Sequence, residues 1–135
     1  MEKDLHSNVK TLIALAVQNI SSDTTTVGNI IDTLGFESLE YSIQSGTIAD
    51  GAYALKLEDG DDSGLSDAAD VPAANILGVL TGFVAADDDE TKRVGSISKK
   101  RYQRLSIVST GVTGGSTNWA SQAVLGHPKT GPVAE

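Results

Sequence analysis

The strongest constraint on this chain is a period of two. Leu39, Tyr41 and Ile43 alternate with Glu40, Ser42 and Gln44, and Tyr53, Leu55 and Leu57 alternate with Ala54, Lys56 and Glu58. Successive side chains of a strand point to opposite faces, so each run predicts a strand with one buried and one solvated face. The run RYQRLSIVSTG repeats the pattern, with Arg101, Gln103, Leu105 and Ile107 on one side and Tyr102, Arg104, Ser106 and Val108 on the other. LIALAV (Leu12–Val17) sits among β-branched neighbours and also reads as a strand, and WASQAVLG reads as the last one. A short element is expected around Ile76 to Leu80, with a turn at DDDE and a loop at GVTGGST. No long amphipathic helical stretch interrupts these segments. The expected fold is therefore all-β, an antiparallel β-sandwich or jelly-roll-like barrel. A length of 135 residues suits a single domain, residues 1–135, with flexible polar arms at about 1–8 and 127–135.

Composition narrows the function classes. With six aromatic residues the core is expected to consist mainly of Leu, Ile, Val and Ala. A net charge of −8 opposes general nucleic-acid binding, which depends on neutralising phosphates. The absence of cysteine excludes disulfides, thiolate metal sites and a cysteine nucleophile. The six-residue apolar run is too short to span a membrane. A soluble protein made in the cytoplasm, with no cofactor, is the expectation.

One stretch imitates a metal site. DGDDSGLSDAAD puts Asp59, Asp61, Ser63, Asp67 and Asp70 at the oxygen-ligand places of an EF-hand loop, with Gly64 at its turn. Position twelve is Asp instead of Glu, the preceding segment is a strand, and a pre-proline residue follows. A solvated turn is the favoured reading, and a weak Ca²⁺ site is the alternative. No catalytic residue is assigned. His6 lies in the N-terminal arm, His127 precedes Pro128, and no serine stands in a GxSxG elbow.

Six of the ten basic residues, Lys92, Arg93, Lys99, Lys100, Arg101 and Arg104, fall between positions 92 and 104. They read either as a solvated strand end offsetting Asp87, Asp88, Asp89 and Glu90, or as a docking site for an acidic partner surface. Lys99, Lys100, Arg101 and Arg104 are the partner-binding candidates.

The segments KLEDGDDSGLSDAADVPAANILG, VGSISKKRYQRLSIVSTGVTGG and QAVLGHPKTGPV, in that order, resemble small structural proteins of tailed bacteriophages. Gly126, His127 and Pro128 form the most specific piece. The resemblance implies a non-enzymatic virion protein that decorates or cements the capsid surface by bridging major capsid subunits. The partner would be the major capsid protein of the phage. A homo-oligomer, dimer or trimer, is expected, with neither nucleic acid nor membrane as partner. Two alternatives stand beside it, a head–tail joining or tail protein and a calcium-dependent carbohydrate-binding module.

Overall fold

A computed structural model describes residues 3–133, and in it the alternating segments pair as two antiparallel sheets. The first sheet runs in the order β1 (Lys10–Ile20), β10 (Thr117–Pro128), β4 (Phe36–Ser45), β8 (Thr91–Ser96), β7 (Ile76–Leu77). The second runs β2 (Thr25–Val27), β9 (Tyr102–Thr110), β5 (Ala52–Gly60), β6 (Ala69–Asp70), and β3 (Ile31–Asp32) also pairs with β9. The chain is an all-β, single-domain sandwich, and its helical content among the described residues is three short 3₁₀ turns.

The period-two reading holds where it was made. Leu39, Tyr41 and Ile43 of β4 and Tyr53, Leu55 and Leu57 of β5 all face inward and are buried. Gln103, Leu105 and Ile107 of β9 are buried on the same principle, while Arg101 lies just before the strand. Three short strands, β2, β3 and β6, and strand β8 were not anticipated. Segments of two or three residues carry too little period to register, and KRVGS opens with two charges.

Most buried residues of the core are Leu, Ile, Val and Ala, as expected, with an aromatic cluster among them. Four of the six aromatics, Tyr41, Tyr53, Phe83 and Trp119, are among its largest buried side chains. The Trp119 ring of the first sheet lies 4.8 Å from that of Tyr53 in the second and 4.9 Å, edge-on, from that of Phe83. Aromatic pairs at this spacing add electrostatic preference to the area they bury. Thr117 Oγ1 lies 3.3 Å from the Tyr53 hydroxyl, so the buried phenol keeps a polar partner.

Both open sides of the sandwich are stitched. On one side Gly28 N–H donates to Leu105 O (3.0 Å) and Asn29 N–H to Ala14 O (2.7 Å), joining β9 to β1. On the other, the irregular segment after β6 follows the free edge of β5. Val71 N–H donates to Leu57 O, Leu55 N–H to Leu80 O, and Tyr53 and Phe83 exchange both bonds at 2.9 Å. Exposed strand edges invite pairing with other chains. Here β5 is covered, β1 is broken by register shifts between Ile13 and Leu15 and between Leu15 and Gln18, and β8 turns a lysine toward the sandwich interior. That residue, Lys92, sits 5.0 Å over the Phe83 ring and donates to Gly82 O at 2.7 Å.

The segments expected as arms are bonded to the body. His6–Asn8 form a 3₁₀ turn, β10 extends through Pro128, Lys129 N–H donates to Gly35 O, and Val133 N–H donates to Ser7 O. The outermost residues of both arms, 1, 2, 134 and 135, lie outside the described residues.

Candidate functional site

The acidic loop joins β5 to β6, and its carboxylates point mostly at its own backbone. Asp67 accepts from the N–H groups of Asp61 (2.8 Å) and Asp62 (3.2 Å), and Asp62 accepts from those of Gly64 (2.9 Å) and Ser66 (3.2 Å). These bonds favour the ionised forms and hold both carboxyls below the usual aspartate range. Asp61 pairs with Lys100 at 2.7 Å, Asp59 is buried and accepts from Ser98 Oγ, and Asp70 lies 3.9 Å from Lys56. Of the five candidate ligands Asp59, Asp61, Ser63, Asp67 and Asp70, the four aspartates are thus turned to separate partners instead of converging. Among the described residues no group of three or more His, Asp or Glu is placed to hold a metal ion.

Five of the six basic residues between positions 92 and 104 are likewise occupied. Arg101 donates from Nε (2.8 Å) and Nη2 (2.9 Å) to the two carboxylate oxygens of Asp32, a bidentate pair that lowers the Asp32 pKa and raises that of Arg101. Arg104 reaches Glu58 at 3.1 Å on the outer face of β9 and β5, where both side chains are largely buried, and Lys56 lies 3.8 Å from the same carboxylate. Arg93 pairs with Glu40 and Lys92 with Asp87, each at 3.3 Å. Of the four partner-binding candidates, Lys99 alone forms no ion pair among the described residues. The contiguous basic stretch of the sequence is therefore divided among several faces and neutralised locally.

The glycine-rich loop also has a local occupant. Asp50 accepts from the N–H groups of Thr113 (3.1 Å) and Gly114 (3.0 Å) and from the Thr113 hydroxyl (2.9 Å), and these bonds hold its carboxyl below the usual range. The loop cradles an anion, and that anion is a side chain of this protein. His127 closes β10 in the left-handed region, at φ 49°, and its Nδ1 meets Ser38 Oγ. Its other ring nitrogen has no hydrogen-bond partner among the described residues, so no acid orients the imidazole as a triad requires.

The feature that sequence reasoning passed over is the outward face of the first sheet. One rung across β1, β10, β4 and β8 reads Ile13, Gln122, Ser42 and Arg93. The next reads Thr11, Val124, Glu40 and Gly95, with Leu77 of β7 completing it. Across these rungs and those of Ala120, Gln44, Thr91 and Asn118, the only charges are Glu40 and Arg93, which pair with each other. A groove of about 770 Å³ opens at one end of this face, between Leu5 and Val9 of the N-terminal segment and Leu77, Ile97, Val124 and His127, with Lys3, Asp4 and Glu37 at its rim. A smaller depression lies at the other end, against Val17, Gln44 and Ala120. The readable signal was the string of neutral outward residues in SQAVLG, alternating with the buried set.

No protein-family model matches the chain. No curated protein matches it either. Among solved structures, a chain in the structure of infectious bursal disease virus strain Gx is 18% identical with a TM-score of 0.52, over 92% of this chain and 33% of that one. A chain of the VP2 subviral particle of infectious bursal disease virus is 16% identical with a TM-score of 0.47, over 92% and 33%. One of the Gt strain is 18% identical with a TM-score of 0.44, over 88% and 32%. This chain spans about a third of the length of the chains it matches. The neighbours are viral capsid proteins, and at this identity the likeness is one of fold. The class defined is an all-β, single-domain β-sandwich.

Proposed function

We propose that this protein is a non-enzymatic structural component of a virion, decorating or cementing the outer surface of a capsid by bridging major capsid subunits. The observation that carries the reading is the match of nearly the whole chain, 92% of it, to the sandwich of a viral capsid protein at a TM-score of 0.52. Assignment to the head of a tailed bacteriophage rests on the residue resemblance, above all the Gly126, His127, Pro128 ending of the last strand. The occupancy of the polar groups supports a scaffold role. Carboxylates that cap backbone, cations held by carboxylates and a glycine loop filled by Asp50 all contribute to shape.

Electron cryo-microscopy of particles carrying the protein tests this directly. Density for the sandwich repeated over the shell is the expected result, whereas copies confined to one vertex, or none on the particle, overturn it. The basic segment is tested by Lys99→Glu, which disturbs no ion pair. If this end docks on an acidic capsid patch, the variant should bind particles more slowly and with altered salt dependence. Unchanged binding would remove Lys99 from the docking surface.

A further inference from the structure

The outward face of the first sheet is unlike the rest of this molecule. The chain carries a net charge of −8, yet this face holds one ion pair and no net charge along its paired rungs. Much of the acidity lies in end loops instead, at Asp59–Asp70 and at Asp87–Glu90. Five of the ten large exposed aliphatic side chains border the face. They are Ile13 (60% exposed), Val17 (82%) and Leu77 (56%), with Leu5 and Ile97 at the groove. Small residues such as Ser42, Gly95 and Ala120 leave its middle low enough for another flat surface to approach.

From these observations we infer that the outward face of the β1–β10–β4–β8 sheet pairs with the same face of a second copy of this chain, giving a two-fold symmetric dimer. Charge favours that occupant. Two copies of an acidic chain repel wherever their loops meet, and they approach at least cost through a face of zero net charge. Self-pairing also needs a self-complementary patch, and adjacent Glu40 and Arg93 supply one, since a two-fold can set each against its opposite in the other copy. The exposed pair is worth little within one chain, and set against its copy its opposite charges fix the register of the two faces. Area agrees as well. Three strands of about ten residues and β8 of six, at about 4.8 Å spacing and about 3.3 Å per residue, present a patch on the order of 570 Å², which Leu77 of β7 extends. Stable pairs bury about 600–1,000 Å² on each partner. The inference stands apart from the capsid reading, because it is tested without particles.

Sedimentation of the full chain at micromolar concentration should give a dimer. Ser42→Glu and Gln122→Glu, at the centre of the face, should each weaken it by about tenfold or more through like charges brought together. Thr25→Glu, exposed on the outer side of the other sheet, should leave the dimer intact. Because the chain has no cysteine, a second measurement is available that does not depend on charge. Gln122→Cys should be captured as a covalent dimer by a thiol-specific linker of about 10 Å, the spacing of face-packed sheets, and Thr25→Cys should not. A monomer or a trimer, a dimer insensitive to both glutamates, or linkage through Thr25→Cys in preference to Gln122→Cys would overturn the inference.

Discussion

Asp67 and Asp62 illustrate how single carboxylates carry a loop. Each accepts two backbone N–H groups, and protonation would remove the charge that makes those bonds strong. Their folded pKa values lie below those of the unfolded chain, so they contribute stability above the unfolded value, about 3.9, and lose it as pH falls through the folded one. The thermal midpoint should be level above about pH 5 and drop below about pH 4. Asp67→Asn should start from a lower midpoint and show a shallower acid limb. The same bonds leave few oxygens for a cation. Calorimetric titration should detect no Ca²⁺ binding tighter than about 10⁻⁴ M, and a micromolar site abolished by Asp59→Ala would contradict the structure. Tyr41 presents the opposite case, since its hydroxyl is buried without a protein partner among the described residues and burial pushes its pKa upward. Removing an unsatisfied buried hydroxyl relieves its desolvation cost, so Tyr41→Phe should leave stability unchanged or raise it by about 1 kcal/mol in denaturant unfolding.

Among the connecting elements, the Gly28–Asn29 link bonds directly to both sheets. A Cβ at Gly28 would fall on the carbonyl oxygens of Leu105 and Ala14, one from each sheet. The link therefore holds the two sheets at a separation that only glycine permits. Gly28→Ala should cost about 1–3 kcal/mol, the range for overpacked sites, read as a lower urea midpoint. Strand β9 shows why the basic run does not act as a block. Lys100 and Arg101 sit in the turn before it, bound to Asp61 and Asp32, while Arg104 lies within it, bound to Glu58. Charges adjacent in sequence are separated by the strand's alternation and by the turn that precedes it.

Taken whole, the molecule depends on contacts between residues far apart in the chain. Trp119 near the C-terminus meets Tyr53 and Phe83 from the opposite side of the sandwich, and it is the largest fully buried side chain. Trp119→Ala should destabilise by about 3–5 kcal/mol, and Trp119→Phe by clearly less, because the cavity left is smaller. Equilibrium unfolding followed by tryptophan fluorescence in the wild type and by circular dichroism in all three would measure both.

The period of two in β4, β5 and β9 was legible because strand geometry writes burial directly into the order of residues. Fold class and the inward residues of these strands followed from it. Spacing did not reveal which charges neutralise one another. Arg101 finds Asp32, and Thr113 finds Asp50, only after the sheets are paired, across separations of sixty or more residues. Nor did six aromatics scattered along the chain announce that four would meet in one core. The outer face, whose one ion pair is Glu40 with Arg93, was divided among β1, β4, β8 and β10, each contributing a few mostly neutral positions that look unremarkable alone. Register between strands gathers them into one surface, and register is a property of hydrogen-bonded partners that local sequence does not contain.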